Sequence, residues 1–398
     1  MSWREICLGD AFRVKHGYAF KSQYFSDDGH YVVLTPGNFN EEGGFRVRPG
    51  KDRFYSGDIP EDFVLVEGDL IVAMTEQGPG LLGSSALVPE GGRYLHNQRL
   101  GLIQHLDEAL LDKHFLYYLF NTRPVRGQIS GSASGTKVRH TAPERIYRVK
   151  ATVPEDVQEQ KVIARTLAAY DELIENNQRR IQLLEQAARL LYKEWFVHLR
   201  FPGHEHVTIT GGVPEGWERM KLSEIADITM GQSPKSIYYN EDGNGLPFHQ
   251  GVTNFGVRFP SHQTYCTVQN RLAEPGDILF SVRAPVGRIN ITTDKIVIGR
   301  GLAAIRSKLG QQNLLFYALK SHFFKEDMMG GGAIFAAITK KDLHGVELIR
   351  APDRIAEMFM EHVQPIDLQI ENLQQTIDDL TQARDLLLPR LMNGEVVV

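Results

Sequence analysis

The feature that most constrains how this chain folds is an internal repeat, in which residues of the first half recur in the same order in the second half. The separation between matched residues falls steadily, from 214 positions near the start to 208 in the middle and 196 in the last part. Matched pairs include Trp3 and Trp217, Gly17 and Gly231, Lys21 and Lys235, Tyr24 and Tyr238, Gly68 and Gly276, Tyr117 and Tyr317, and Asp171 and Asp367. Because chance matches would not stay in order, we expect two copies of one fold, the second with shorter loops.

Each copy begins with a segment typical of short strands joined by turns. Runs such as Tyr31–Leu34 and Asp277–Val282 are rich in β-branched and aromatic residues, and glycines and prolines separate them. One helical stretch interrupts the strands, near Lys113–Asn121 and again near Leu314–Phe324. The pattern predicts two α+β domains, with flexible surface loops at the glycine-rich segments 131–135 and 330–332.

Each domain is followed by a segment with the periodicity of a long helix. Proline and acidic residues at 154–156 and 352–353 suit a first helical turn, and apolar residues then alternate in steps of three and four. At ~1.5 Å per residue each helix would be about 60 Å long, so we expect the two to pair as an antiparallel coiled coil. The predicted seam residues are Leu167, Ile174, Ile181, Leu184, Leu191, Ile370, Leu373, Ile377, Leu380 and Leu387, with Asn177 and Arg384 as polar interruptions. In the alternative arrangement, each apolar stripe packs on its own domain.

These patterns predict a boundary scheme of five segments. Globular domains occupy 1–152 and 217–351, long helices occupy 153–200 and 352–398, and a linker occupies 201–216. Two domains held ~60 Å apart by rigid helices could contact two separate parts of an elongated partner.

Composition excludes several classes of protein. No run approaches the ~18 apolar residues of a membrane helix, and the first residues do not resemble a signal peptide, so a cytoplasmic location with no membrane association is expected. Cys7 and Cys266 match no CxxC pattern, so we expect neither a disulfide nor a zinc site. The net charge of −5 arises mainly in 351–398, which holds 3 Lys and Arg against 9 Asp and Glu.

A basic cluster stands out near the end of the first domain. Its members are Arg123, Arg126, Lys137, Arg139, Arg145, Arg148 and Lys150, and the only acid among them is Glu144. Such a cluster can neutralise phosphates of a nucleic acid, although a solvated basic face has the same composition.

The sequence contains no recognisable catalytic motif. Neither a phosphate-binding G-x-x-x-x-G-K-[ST] sequence nor G-x-G-x-x-G is present, and the [DN]-P-P-[FY] signature of adenine methyltransferases is missing. The acids and lysine in 155–161 are similar to a nuclease pattern, but their place at the start of a helix favours helix capping. The sequence His204-Glu205-His206 lacks a third metal ligand and is interpreted as linker. We therefore expect no catalytic residues and no metal.

The repeated order of domain and helix resembles the specificity subunit of type I restriction-modification systems. Three segments carry the resemblance: 275–283 (Pro-Gly-Asp-Ile-Leu-Phe-Ser-Val-Arg), 230–234 (Met-Gly-Gln-Ser-Pro) and 171–176 (Asp-Glu-Leu-Ile-Glu-Asn). The resemblance covers essentially the whole chain. It implies a protein of DNA methylation and phage defence in which each globular unit is a target recognition domain that reads one half of a split, asymmetric site on double-stranded DNA.

The resemblance also implies partners. The helices would space the domains and dock two modification subunits, which carry S-adenosylmethionine and the methyl transfer chemistry. Motor-nuclease restriction subunits that use ATP and Mg would join them, so this chain would hold no cofactor and would not be an enzyme by itself.

Candidate DNA-binding residues follow from the chemistry of base and phosphate recognition. Arg and Lys bind guanine edges or phosphates, and Asn or Gln pairs with adenine. These types in the two domains nominate Gln77, Arg99, Lys137, Arg139, Gln232, Lys235, Asn254, Arg283, Arg300 and Lys340. Two alternatives remain at this point: a duplicated coiled-coil scaffold that binds proteins without recognising DNA, and a fused enzyme whose site has no recognisable motif.

Overall fold

The structure, a computed structural model, describes residues 2–48, 50–76, 80–323 and 337–397. The chain forms two compact units, each made of one globular half and parts of two long helices. Unit 1 comprises Met1–Asn177 and Gln375–Val398, and unit 2 comprises Gln178–Gln374.

The globular half of unit 1 consists of short strands with a few helices. Its strands are β1 (Trp3–Cys7), β2 (Arg13–His16), β3 (Phe25–Ser26), β4 (Tyr31–Val33), β5 (Phe54–Tyr55), β6 (Leu70–Ala73), β7 (Thr75–Glu76), β8 (Ser85–Leu87), β9 (Tyr94–Leu95), β10 (Leu100–Gln104), β11 (Arg139–His140) and β12 (Lys150–Pro154). Its helices are α1 (Leu8–Ala11), α2 (Lys113–Phe120), α3 (Arg123–Gly131) and α4 (Pro143–Tyr147).

Two four-stranded sheets form the body of this half. One has the order β2-β10-β6-β8, and the other has the order β3-β5-β4-β9, in which β4 and β9 run parallel. The first and last strands, β1 and β12, pair antiparallel with Trp3 opposite Pro154. The domain therefore closes on itself immediately before the chain enters its long helix.

The globular half of unit 2 has a matching set of elements. Its strands are β13 (Ile209–Thr210), β14 (Val213–Pro214), β15 (Glu218–Lys221), β16 (Ala226–Met230), β17 (Tyr239–Asn240), β18 (Leu246–His249), β19 (Tyr265–Cys266), β20 (Leu272–Ala273), β21 (Ile278–Ser281), β22 (Ile289–Ile291), β23 (Ile296–Ile298), β24 (Leu302–Ser307) and β25 (Glu347–Arg350). Its helices are α6 (Leu222–Ile225), α7 (Gln312–Phe323) and α8 (Lys340–His344), and the long helices α5 and α9 are described below.

Three sheets of unit 2 repeat sheets of unit 1. The order β16-β24-β21-β22 matches β2-β10-β6-β8, and the sheet β17-β19-β18-β23-β20 matches β3-β5-β4-β9 with one added strand. The closing pair β15 and β25 matches β1 and β12. The predicted duplication of an α+β fold is thus confirmed at the level of strand order.

The repeated Gly-Asp dipeptide has the same local role in both halves. Gly68 and Gly276 have φ angles of 75° and 85°, in the left-handed region that favours glycine. The carboxylates of the following residues, Asp69 and Asp277, accept hydrogen bonds from the backbone N–H three residues earlier, at 2.9 and 2.8 Å. The dipeptide therefore fixes the turn that starts the buried strand, β6 or β21.

The two long helices are α5 (Val157–Tyr192), which continues as a π-helical turn over Lys193–Val197, and α9 (Asp353–Met392). In unit 1, Asp171 of α5 forms an ion pair of 2.7 Å with Arg384 of α9, and both helices contribute to one core with Leu167 and Leu391.

In unit 2, the ring centres of Tyr192 and Phe359 lie 5.9 Å apart. Seven residues earlier on α5, Glu185 shares the partner Arg258 with Asp367, which lies eight residues later on α9. The earlier residue of α5 thus lies near the later residue of α9, so the helices are antiparallel.

Burial of the predicted seam residues is graded. Six are buried: Leu167, Ile174, Ile181, Ile370, Leu373 and Ile377. Leu184, Leu191, Leu380 and Leu387 are only half-buried. Of the polar interruptions, Asn177 is buried, and Arg384 extends to Asp171.

The structure corrects two details of the repeat. A second helix, α3, follows α2 where only one helical stretch was predicted; Pro124 suits its first turn, and Val125 and Ile129 bury one face. The sequence also matched Tyr117 to Tyr317, whereas the hydrogen bonds match Tyr118. The hydroxyls of Tyr118 and Tyr317 donate to the equivalent carboxylates Asp171 and Asp367, each at 2.6 Å.

Candidate nucleic-acid interface

An open, polar cleft lies in unit 1 at the side where β3, β7 and the loop between β9 and β10 meet. Its volume is about 800 Å³. Cationic side chains of Arg48, Lys51, Arg53 and Arg99 line it, together with the acids Asp27, Asp52 and Glu76. A cleft with this mixture of donors and acceptors suits a nucleic acid, because base edges present both donors and acceptors and phosphates present acceptors.

Glu76 organises one wall of this cleft. Its buried carboxylate accepts hydrogen bonds from the N–H groups of Leu81 and Leu82, at 3.0 and 2.9 Å, and pairs with Arg139 at 3.3 Å. The guanidinium of Arg139 also donates to the carbonyl of Ser130. The predicted DNA-binding residue Arg139 is therefore engaged in holding β7 and β11 together.

The other candidates of unit 1 differ in placement. Arg99 is exposed and lines the cleft, and its carbonyl accepts a hydrogen bond from Met74 N–H at 3.0 Å. Lys137 is exposed in the loop that leads into β11. Gln77 lies outside the described residues.

In unit 2 the loop between β23 and β24, Gly299–Gly301, brings several candidates together. The N–H of Gln232 donates to the carbonyl of Ile298 at 3.0 Å, and the N–H of Val282, next to Arg283, donates to Gly301 at 2.9 Å. Gln232, Arg283 and Arg300 are all exposed around this one loop.

Ser233 and Gln250 hold the loop in place. The hydroxyl of Ser233 donates to Gln250 Oε1 at 2.7 Å and accepts from the N–H of Arg300 at 3.1 Å. Sequence reasoning missed Gln250, which has no counterpart among the matched pairs and follows a short strand.

Two repeated glycines allow a close backbone approach in each unit. Gly17 lies against the loop between β9 and β10, and Gly231 lies against the loop between β23 and β24. A Cβ atom on Gly17 would lie 2.1 Å from the carbonyl oxygen of Asn97, and one on Gly231 would lie 2.1 Å from that of Gly299. No side chain fits either position, so glycine is needed for the same close approach in both units.

The three other candidates of unit 2 lie outside the Gly299–Gly301 loop and its direct contacts. Lys340 begins α8 and is exposed, two residues after Ile338, whose N–H donates to the carbonyl of Val282 at 2.8 Å. Lys235 precedes a 3-10 turn, and Asn254 is half-buried in the loop 251–262. Within the described ranges, no hydrogen bond joins Asn254 to the Gly299–Gly301 loop.

The loop 251–262 carries a residue that the sequence did not single out. Arg258 is 2% exposed and lies against the helices rather than at the surface. Its guanidinium contacts Glu185 of α5 at 2.5 Å, Asp367 of α9 at 3.0 Å and the hydroxyl of Tyr317 at 2.8 Å.

The electrostatics of this cluster are those of a compensated buried ion network. Burial acts to raise the pKa of Glu185, but attraction by Arg258 and by Lys320, 2.8 Å away, outweighs it, so the pKa lies below its usual value. Burial would lower the pKa of Arg258, yet Glu185, Tyr317 and Asp367 hold it above its usual value. Arg258 is thus a structural cation that ties the globular half of unit 2 to its helices.

Four of the seven members of the basic cluster, among them Arg139, form side-chain contacts within unit 1. The guanidinium of Arg126 donates to the carbonyls of Glu41 and Gly80. Arg145 donates to Ser134 Oγ at 3.0 Å, and Lys150 pairs with Glu5 at 2.8 Å. The better signal for the cleft was the run 46–53, in which Arg46, Arg48, Lys51 and Arg53 fall close together.

The acidic segment 155–161 and the His204–His206 segment have structural roles. Asp156 Oδ1 accepts from the N–H of Gln158 at 2.8 Å, as expected for a helix cap, and Glu155 accepts from Ser2. His204–His206 form a 3-10 turn. Among the residues that the structure describes, no group of three His, Cys, Asp or Glu side chains could hold a metal, and no helix is long and apolar enough to cross a membrane.

Comparison with known proteins gives a consistent result over both units. A family model described as the type I restriction modification DNA specificity domain matches residues 1–186 and 214–382. The chain is 32% identical over 320 residues to the putative type I restriction enzyme MjaX specificity subunit of Methanocaldococcus jannaschii, covering 76% of this chain and 72% of that protein.

Two further similarities extend over nearly the whole chain. It is 25% identical over 439 residues to the type I restriction enzyme EcoBI specificity subunit of Escherichia coli, covering 99% of this chain and 86% of that one. A crystal structure of a type I restriction-modification S subunit from M. genitalium is similar in fold, with a TM-score of 0.62 and 17% identity, over 98% of this chain and 96% of that one.

Proposed function

This chain belongs to the type I restriction-modification DNA specificity family, and on that premise we propose that its two globular halves each read one block of a bipartite, asymmetric site on double-stranded DNA. The observation that carries the proposal is a backbone contact that occurs in both units and supports loops with different side chains. Gly17 and Gly231 make the same close approach, yet the loops that they support present different side chains. Two copies of one framework with different surfaces would read different bases in the same manner.

The cleft of unit 1 is the proposed reading surface of the first half. Its cationic residues Arg48, Arg53 and Arg99 suit guanine edges and phosphates, while Asp27 and Asp52 suit the N–H donors of cytosine. In unit 2, Gln232, Arg283 and Arg300 would serve the same purpose. The scaffold alternative is not favoured, because the matched family model is a DNA specificity domain in both halves.

The helices are the proposed spacer. α5 and α9 contain 36 and 40 residues, or about 54 and 60 Å at 1.5 Å per residue. If they set the gap between the two DNA blocks, matched insertions of one helical turn in both helices will lengthen the preferred gap and leave the blocks unchanged. A gap that stays the same would count against the spacer role.

The partners follow from the family and from a repeated feature of the helices. Leu190 and Leu386, 196 positions apart, are 50% and 55% exposed on α5 and α9. Two equivalent exposed leucines suit two copies of one partner, which we take to be modification subunits carrying S-adenosylmethionine. Restriction subunits that use ATP and Mg would complete the complex, in the cytoplasm where the DNA lies. The chain itself would be non-catalytic.

The docking proposal has a direct test. Leu190→Asp and Leu386→Asp should each reduce the number of bound modification subunits from two to one, as measured by light scattering of the purified complex. Leu368→Asp, at a 58% exposed leucine without a repeat counterpart, is the control and should leave both bound. Full occupancy in both Leu190→Asp and Leu386→Asp would contradict the placement.

The recognition proposal is tested by mapping methylated sites after assembly with modification subunits, with the chain alone as the control for catalysis. We expect two different blocks separated by an unspecified gap, and no methylation by the chain alone. Exchange of residues 1–152 for another member's domain should alter one block. A continuous palindrome, or a change in both blocks, would refute independent reading by the two halves.

A further inference from the structure

A tetrapeptide of the form Lys-Ser-x-Tyr occurs once in each unit, at 21–24 and at 235–238. In both places its last three residues form a 3-10 turn, Ser22–Tyr24 or Ser236–Tyr238. The turn is closed by a hydrogen bond from the tyrosine N–H to the lysine carbonyl, 3.2 Å long in unit 1 and 3.1 Å in unit 2.

The two turns are also attached to the rest of their units in the same way. The carbonyl of Tyr24 accepts from the N–H of Ser56 at 3.0 Å, and that of Tyr238 accepts from the N–H of Thr267 at 3.2 Å. In each unit the residue after the tyrosine begins a strand, β3 or β17. This strand pairs antiparallel with β5 or β19, the strand that directly precedes Ser56 or Thr267. Equivalent residues of the two turns therefore hold equivalent places in the fold.

The side chains of the turn face solvent to the same extent in both units. Lys21 and Lys235 are exposed, and Tyr24 and Tyr238 are each 39% exposed. In the described part of the chain, neither lysine forms a side-chain hydrogen bond or ion pair. Ordinary fold support would not need such a pair of unengaged lysines.

The third position is where the two turns differ. It is Gln23 in unit 1 and Ile237 in unit 2, and both are exposed. Ile237 is 76% exposed, more than any other large apolar side chain described. An apolar residue held so far out of the core by a fixed turn is available to an external partner.

Each turn lies beside the surface proposed to read DNA. In unit 1 the residues that directly follow it, Phe25–Asp27, line the cleft with Arg99. In unit 2 the turn follows Gln232 and Ser233, and the hydroxyl of Tyr239 donates to the carbonyl of Pro234 at 2.8 Å.

We propose that the Lys-Ser-x-Tyr turn is a reading element in which the lysine binds a backbone phosphate and the third residue contacts one base. The inference rests on the DNA recognition proposed above. The lysine is the same in both turns, and the phosphate backbone is the same in both DNA blocks. The third residue differs between the turns, as the bases differ between the blocks. Glutamine pairs with adenine N6 and N7, and an aliphatic side chain contacts the methyl group of thymine. Gln23 thus selects adenine and Ile237 selects thymine.

The experiment exchanges the third residues in the full chain. Gln23→Ile, Ile237→Gln and the double variant are used to select from double-stranded DNA with a randomised central segment. We expect Gln23→Ile to lower the preference for adenine at one position by roughly 5- to 100-fold. Ile237→Gln should exchange thymine for adenine at one position of the other block. Leu309→Gln, at an exposed leucine outside the reading surface, is the matched control and should leave every position unchanged.

Lysine variants test the other half of the inference. Lys21→Ala and Lys235→Ala should weaken binding to all sequences alike and reduce the slope of log K against log salt by about one each. Altered base preference in these variants would overturn the phosphate assignment.

The outcomes separate this inference from the function on which it rests. If the wild-type chain selects two blocks and the third-residue variants select the same bases, the base assignment is overturned while DNA recognition stands. If the wild-type chain selects no sequence, the proposed function fails, and this inference fails with it.

Discussion

Arg258 offers a sharp test of how the globular half of unit 2 is held to its helices. The perturbation is Arg258→Met, which keeps a flexible apolar side chain in place of the arginine's aliphatic stem but removes the guanidinium and its charge. It deletes the contacts to Glu185, Asp367 and Tyr317, and the stacking of the guanidinium carbon 4.3 Å from the centre of the Phe316 ring.

The size of the effect follows from what the variant leaves behind. Removal of one partner from a buried ion pair costs about 3–5 kcal/mol, because the other charge stays buried without compensation. Glu185 would keep Lys320 at 2.8 Å, and Asp367 would keep the hydroxyl of Tyr317 at 2.6 Å. We therefore expect the lower end of the range, about 3 kcal/mol of lost unfolding free energy.

Thermal unfolding measures this loss. Each kcal/mol lowers Tm by about 2–4 °C for a unit of 150–250 residues, so the transition of unit 2 should fall by about 6–12 °C. The matched control is Arg384→Met in unit 1, whose ion pair with Asp171 has side chains that are 21% and 32% exposed. Solvent screens that pair, so its loss should cost about 1 kcal/mol or less.

The pH dependence provides a second measurement. The pKa of Glu185 lies below its usual value because the attraction of Arg258 and Lys320 outweighs burial, so its stabilisation is present above the usual carboxyl range and is lost as pH falls through the lower value. Without Arg258 that pKa rises, and the carboxyl can be neutral in the folded variant. The difference in Tm should shrink below about pH 4.5, and Glu185→Gln added to Arg258→Met should restore part of it. Equal melting of Arg258→Met and wild type at neutral pH would refute the reasoning.

Two other predictions concern stability. Burial lowers the pKa of His96 and of His249 to about 4, with further lowering by Lys15 in the first case and His262 in the second. Protons then bind more tightly to the unfolded chain, so stability should fall as pH drops from about 6.5 toward 4. His96→Gln and His249→Gln should each reduce the dependence of Tm on pH in this range. An unchanged dependence in both variants would contradict this prediction. In the helix seam, Ile370→Asp at a fully buried position should cost several kcal/mol, as seen in chemical denaturation. Leu368→Asp, two residues earlier and exposed, should cost almost nothing, and equal effects would place Ile370 outside the seam.

The parts of the fold that the sequence predicts are those encoded by local periodicity. The heptad spacing gave both long helices, with α9 ending at Met392 where the apolar stripe ends at Leu391. The repeat gave the shared strand order, because residues such as Gly68 and Asp69 act through a turn of a few residues. Such features need no knowledge of distant partners.

The candidate site was only partly predictable, because charge alone does not show where a side chain points. Arg126 and Arg139 were both in the predicted basic cluster, and each also donates hydrogen bonds to carbonyl or carboxylate acceptors of its own unit, which the local sequence does not indicate. Arg258 could not be predicted to be buried, because nothing near it in the sequence indicates that it pairs with Glu185 and Asp367. Arg258 becomes a structural cation because the tertiary fold places the buried acids Glu185 and Asp367 against it.

The comparison of the two units explains why that cation cannot be treated as part of an exchangeable surface. Asp171 and Asp367 are equivalent, and each accepts a 2.6 Å hydrogen bond from a tyrosine. In unit 1 the cation comes from the helix itself, through Arg384. The position of the repeat that corresponds to Arg384 in unit 2 is Ala188, which is fully buried and has no charge, so the globular half supplies Arg258 instead.

Exchange of the second recognition domain therefore has a condition that exchange of the first does not have. Chimeras in which residues 217–351 come from another family member should keep full stability only if their domain presents an arginine at the place of Arg258, because Glu185 and Asp367 would otherwise stay buried and undercompensated. Chimeras without it should melt at least as far below wild type as Arg258→Met does, whereas exchanges of 1–152 leave the Asp171–Arg384 pair within the helices intact. Second-domain chimeras that lack the arginine and melt like wild type would show that the buried acids find compensation elsewhere, and would remove the constraint.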